Sequence, residues 1–202
     1  MNGGNRSGSQ YAVRSALLLS LCLLVNVATF GVCLAQDADL HGDIEVGVVL
    51  GAGEQSGRAS ASVRIKAPRD VVWSLITNCT EALRIFPGLV ACDVLQSAPD
   101  HSWQLIRHVL DYSWYVSKLT YEIRATYDKP IGVSVVRVSG DLKSLSVSWN
   151  LRSDGDYTVA NYVVDLAPGF WVPHWLVRGA LRRDLPKMLR ALRTRAEFVA
   201  RQ

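Results

Sequence analysis

The sequence predicts an α+β domain in which a long antiparallel sheet is covered by one long C-terminal helix, with two short helices after the first strand. Three observations carry this. From Leu89 to Leu166 apolar residues recur with period two in six strand-length runs. Short turn signals separate the runs, as in an antiparallel meander. Near the C-terminus Leu181, Leu185, Met188, Leu192 and Ala196 recur at steps of three and four, the period of a helix with one apolar stripe.

The chain has 202 residues, 49% apolar and 20% charged, with no long Gly/Pro/Ser tract, so one globular domain is expected. Residues 1–35 stand apart from it. MNGGNRSGSQYAVRS has Arg6 and Arg14 as its only charges, and Ala16 to Ala35 is apolar without a charge. That is the pattern of a secretory signal, with Cys33 and Ala35 suiting the −3 and −1 positions of cleavage and Gln36 starting the mature chain. An uncleaved anchor at 16–35 stays open, because about 20 apolar residues suffice to cross a bilayer. A lipoprotein is the weaker reading, since Val32 precedes Cys33. The expected location is therefore the periplasm or the exterior, or a membrane to which 16–35 tethers the domain.

Export leaves Cys79 and Cys92 in an oxidising compartment. They either pair, closing a short loop worth about 3 kcal/mol, or remain two buried thiols. No histidine pattern near them points to zinc or redox chemistry, and no metal or cofactor is expected. Charge is uneven. From Trp171 to Gln202 eight Lys/Arg face only Asp184 and Glu197, whereas residues 36–170 are net acidic. The basicity belongs to the last helix, without the wider basic surface that nucleic acid needs.

The elements follow in order. Residues 36–59 are an acidic, glycine-rich lead-in with one weak strand at Val46 to Leu50, and the folded domain is expected over 60–202. ASVRIKA at 61–67 alternates as a strand. Pro68 at the first helical position, with Asp70 in the first turn, opens a helix with Val72, Trp73 and Ile76 on one side. TEALRIF, with Thr80 as N-cap, is a second helix ending at Pro87-Gly88. Strands are expected at 90–96, 103–110, 116–127, 132–138, 145–151 and 158–166. Leu119, Tyr121, Ile123 and Ala125 share one face, as do Leu145, Val147, Trp149 and Leu151, whereas in 103–110 and 132–138 both faces are apolar and neither is favoured. In the last helix Pro186 predicts a kink or a break near 182–186, and Arg182, Arg183, Arg190 and Arg193 lie mainly away from the apolar stripe.

This layout, with Ala67, Pro68, Val71, Val72 and Trp73 after a first strand and FWVPHWLVRGALRRDLPKMLRALRTRAE at the end, resembles the START-related SRPBCC superfamily over about residues 60–200, and within it the polyketide cyclase/dehydrase and ubiquinone (coenzyme Q)-binding group. The resemblance implies a helix-grip fold: a curved sheet wrapped around the C-terminal helix, enclosing an apolar cavity that binds a hydrophobic small molecule. Only some members are enzymes.

A sheet with one apolar face and a single long helix over it can enclose a void. The candidate ligand-binding residues are Trp73, Ile76, Phe86, Tyr121, Ile123, Trp149, Tyr162, Leu181, Leu185 and Met188. Each taken singly also reads as ordinary core. Of the histidines His41, His101, His108 and His174, only His108 falls in a strand, and none stands at a catalytic motif spacing. No catalytic residue is assigned. A cyclase-like enzyme would use one internal acid/base group, with His108, Asp111 or Tyr121 as the residues to test. Phe170, Trp171 and Trp175 before Arg178, Arg182 and Arg183 combine interfacial aromatics with cations, as suits an anionic membrane surface. The competing reading makes the tryptophans a cap on the core and the arginines a solvated face. The expected partners are a hydrophobic ligand and a membrane surface, with no nucleic acid; the sequence leaves the oligomeric state open.

Overall fold

In the computed structural model, residues 44–50, 56–112 and 118–202 are described; the signal-like segment 1–35 lies outside them. The strands are β1 (Glu45–Leu50), β2 (Gly57–Ile65), β3 (Leu89–Ser97), β4 (Trp103–Leu110), β5 (Leu119–Asp128), β6 (Gly132–Gly140), β7 (Leu142–Asp154) and β8 (Tyr157–Pro168). The helices are α1 (Arg69–Ile76), α2 (Cys79–Ile85) and α3 (His174–Val199). The lead-in segment contributes β1 as an edge strand. Val116, the expected start of the third meander strand, falls outside the described residues, and β5 begins at Leu119.

All eight strands form one antiparallel sheet in the order β1-β2-β8-β7-β6-β5-β4-β3. β3 to β8 run as a meander, and β2 pairs with β8, so the last strand of the chain lies beside the second. The curved sheet and α3 make a helix-grip fold. α1 and α2 carry the chain from β2 to β3, at the far edge of the sheet.

Small residues on β2 set where α3 lies. Gly57, Ala59 and Ala61 occupy its buried face, followed by Val63 and Ile65. A Cβ on Gly57 would come within 2.9 Å of Leu181 Cδ1 and 3.2 Å of Val177 Cγ1. The helix therefore packs closely on β2 and β1, with Leu181, Leu185, Met188, Leu189, Leu192 and Ala196 buried.

The helix continues through Pro186 as 26 unbroken residues, which corrects the expected break. Proline removes one N–H donor, a loss that the buried stripe on both sides of it offsets. Two helix starts are corrected as well. Pro68 is the N-cap of α1 rather than its first residue. Asn78, not Thr80, caps α2, its side chain accepting from Thr80 N (2.8 Å) and Glu81 N (3.2 Å). An asparagine oxygen reaches the free amides two and three residues on, and Thr80 is already inside the helix.

Two cross-links hold α2. Cys79 and Cys92 form a disulfide to β3, with Cα atoms 5.4 Å apart. Arg195 of α3 donates two hydrogen bonds of 2.8 Å to Glu81, and this guanidinium holds the Glu81 carboxyl below the usual carboxylate range.

Replacing both cysteines by serine is expected to cost about 3 kcal/mol, or roughly 6–12 °C of Tm for a domain of this size. Melts of the two proteins measure it, and equal Tm values would show that α2 is held without the cross-link. Gly57→Leu is expected to destabilise by about 1–3 kcal/mol through overpacking beneath α3. Denaturant unfolding reads that change, and a neutral result would mean that the helix is free to move outward.

Candidate functional site: an apolar cavity between sheet and helix

Away from β1 and β2 the helix stands off from the sheet, and the space between them is a cavity of about 310 Å³. That size suits a small organic molecule. Of the ten candidate binding residues, Ile76, Phe86, Tyr121, Ile123, Trp149, Tyr162, Leu181, Leu185 and Met188 line it. Trp73 does not. It is buried behind the wall, its ring edge-on to Tyr127 at 6.0 Å, and Tyr127 takes the place at the surface of the cavity.

The pairing of β4 and β6 with β5 decides the two strands whose faces are ambiguous in sequence. Ile106 stands opposite Ile123 and His108 opposite Tyr121, while Val133 and Val135 stand opposite Tyr127 and Ala125. Cross-strand partners share a face. Ile106, His108, Leu110, Val133 and Val135 therefore point into the cavity, and Val136 and Val138 point out, about half exposed.

The wall has few polar groups. His108 Nδ1 lies 3.4 Å from the Tyr121 hydroxyl, with the two rings edge to face. Burial lowers the His108 pKa to about 4, so the imidazole is neutral near pH 7. Burial raises the phenols of Tyr112, Tyr121 and Tyr162, and pushes Tyr127 up to about 12. All four therefore remain protonated, and Tyr127 donates to Gln104 Oε1 at 2.7 Å. Tyr162 stacks at a tilt on Trp149, 4.6 Å between centroids.

The charges that reach the cavity form a closed pair. Arg183 makes two hydrogen bonds to the adjacent Asp184, at 2.7 and 2.9 Å. The Tyr112 hydroxyl lies 3.2 Å from Asp184 and 3.1 Å from the Pro87 carbonyl oxygen. Arg183 thus faces the cavity, which corrects its expected place on the outer face of the helix; pairing with the next residue turns the guanidinium inward. Sequence reading missed Tyr112 and Asp184, and it named His108 as an internal acid/base candidate while leaving the face of its strand open, because each placement depends on contacts between distant segments.

The aromatic and cationic residues read as a membrane face separate in the same way. Phe170 lines the cavity with Val172, Leu176 and Val177. Trp171 and Trp175, interleaved with them, are 77% and 67% exposed. Arg178 is half-buried and Arg182 exposed. Asp111, a further candidate acid, lies 3.5 Å from Lys118 Nζ. Among the described residues no three His, Cys, Asp or Glu side chains come together as a metal site, and no helix is long and apolar enough to cross a membrane.

The chain can be compared with known proteins on this geometry. No curated protein sequence matches it. Among solved structures it is similar to a STAR-related lipid transfer protein fragment from Xanthomonas axonopodis, at 24% identity and a TM-score of 0.67, over 83% of this chain and 97% of that one. It is similar to the ZhuI aromatase/cyclase from a Streptomyces species, at 17% identity and a TM-score of 0.59, over 76% and 94%. It is also similar to the lipid transfer and protein localization domain of human StarD13, at 11% identity and a TM-score of 0.60, over 94% and 98%. At these identities the likeness is one of fold. The family model for polyketide cyclase/dehydrase and lipid transport matches residues 65–193. With well over half its length matched and the cavity in place, the chain belongs to the polyketide cyclase/dehydrase and lipid transport family.

Proposed function

We infer that this protein is an exported carrier that holds one hydrophobic molecule, such as a lipid, quinone or isoprenoid, between sheet and helix without changing it chemically. The observation that carries the reading is the cavity wall: aliphatic and aromatic side chains with a few uncharged hydrogen-bonding groups and one charge pair, Arg183 and Asp184, closed on itself, the composition expected of a site that selects by shape and apolar surface. Export is supported by the signal-like residues 1–35 and by the Cys79–Cys92 disulfide, which suits an oxidising compartment. Exchange at a membrane is supported by Trp171 and Trp175, exposed on the stretch whose alternate residues Phe170, Val172 and Leu176 form the cavity wall.

A second reading, a cyclase-like enzyme, draws on one observation: His108 and Tyr121 make a polar pair inside the cavity. A base with a pKa near 4 is a weak proton acceptor at neutral pH. That weighs toward the carrier.

Protein purified without detergent from the envelope of its own host is expected to carry an apolar molecule at close to one per chain, read by native mass spectrometry with extraction. An empty protein that also takes up no quinone or phospholipid would end the carrier reading. Val147→Trp, which fills the space beside Trp149, is expected to weaken uptake by about tenfold or more with little change in Tm. Unchanged uptake would place the ligand elsewhere.

His108 gives a pH prediction. Its folded pKa lies below the ordinary value of 6.5, so the unfolded chain binds the extra proton first as pH falls. This contribution to stability is complete above about pH 6.5 and is lost as pH drops toward 4, by on the order of 3 kcal/mol. His108→Phe is expected to flatten that part of the stability profile. If it also abolished a turnover while leaving binding intact, the enzyme reading would replace the carrier.

A further inference from the structure

Beside the apolar cavity lies an open groove of the opposite character. Lys118, Arg137 and Lys143 line it, and Asp141 is the one acid among its described residues. Its floor is backbone. Asp141 N donates to the Thr120 carbonyl (2.9 Å), Gly169 N donates to the Asp141 carbonyl (2.9 Å), and Thr120 N donates to Asp141 Oδ2 (2.7 Å). These bonds tie together the start of β5, the β6–β7 turn and the end of β8. Gly140 holds φ +99°, and a Cβ on it would meet the Thr120 carbonyl oxygen, as one on Gly169 would meet that of Asp141. No side chain can project from either glycine to fill the corner.

The cations are incompletely matched. Asp141 is engaged by the Thr120 amide, which leaves three positive groups around one committed carboxylate. Arg137 gives one hydrogen bond, from Nη2 to the Gly140 carbonyl at 2.9 Å, and its Nε is buried without an acceptor. Lys118 approaches Asp111 at 3.5 Å with its own side chain 64% exposed, a weak restraint. The groove therefore offers an excess of donors and positive charge at a rigid corner.

Three side chains connect it with the cavity: Leu119, Leu142 and Phe170 line both. The cavity itself offers no unmatched positive charge to an anion. Its histidine and tyrosines are uncharged and Arg183 is taken up by Asp184. Burying an unpaired anion among such groups is costly. An amphiphile with an anionic end would have to leave that end outside, within reach of the shared wall.

We propose that this groove is the head-group subsite of the carrier, taking the single phosphate or carboxylate of an amphiphile whose apolar chain lies in the cavity. The assignment rests on the carrier reading above. It adds that the preferred cargo is an anionic, single-headed amphiphile rather than a neutral one.

Calorimetric titration of the full chain with dodecyl phosphate, dodecanol and inorganic phosphate tests it. Dodecyl phosphate is expected to bind roughly tenfold more tightly than dodecanol, as befits a few partly exposed charge contacts. The gap should close in Lys118→Gln/Lys143→Gln and shrink as salt is raised, with dodecanol affinity unchanged. Equal affinities in the wild type would overturn the head-group subsite and leave the carrier standing. Inorganic phosphate that displaces dodecyl phosphate with equal affinity would make the groove a free-anion site and overturn the link to the cavity. Binding of neither amphiphile would overturn both readings. Should the double variant not melt like the wild type, salt decides: a gap that persists at about 1 M, where exposed charges are screened, would overturn the proposal.

Discussion

The structure depends on how closely α3 approaches the sheet at one place only. Gly57, Ala59 and Ala61 give β2 a face low enough for Val177 and Leu181 to rest against its backbone. The neighbouring inner faces carry Tyr121, Ile123, Trp149 and Tyr162, which are too tall for the same approach. A helix seated on the low strand of a curved sheet stands off from the taller side chains of the strands beyond it. The cavity follows from that mismatch, and no loop or insertion is needed to make it. The disulfide and the Glu81–Arg195 pair then anchor α2, whose Cys79 and Ala82 also line the cavity, to β3 and α3.

The electrostatics divide along the same line. Inside, burial keeps His108 neutral and the tyrosines protonated, so the polar groups offer hydrogen bonds without charge. Ionised groups that reach the cavity are closed on each other, as Arg183 and Asp184 are. Incompletely matched cations gather in the adjacent groove at Lys118, Arg137 and Lys143. A neutral interior beside a cationic edge is suited to holding an apolar body.

Much of the fold could be read from local pattern. The period-two runs place all six meander strands to within a few residues, and the faces of β5 and β7 are as the alternation of Tyr121 and Ile123 with Glu122 and Arg124, or Trp149 with Ser148, requires. The α3 stripe is buried as its spacing implies. Errors gather where two local rules compete. Thr80 and Asn78 are both good caps, and which one acts depends on where the chain leaves α1. Pro186 breaks an isolated helix, yet here burial on both sides outweighs one missing hydrogen bond.

By itself the sequence determined the kind and order of the elements, because periodicity records which side of each segment avoids water. It also supplied nine of the side chains that line the cavity, most of them for the same reason: they belong to the apolar face of the sheet or to the stripe of the helix. Tertiary structure alone decided which of those residues surround empty space and which, like Trp73, are packed solid. It alone turned His108 and Arg183 inward, and it brought three cations from separate segments to one corner. Each of these outcomes depends on strand register and on the distance between layers. Those quantities are set by contacts between residues far apart in the chain, and no local pattern encodes them.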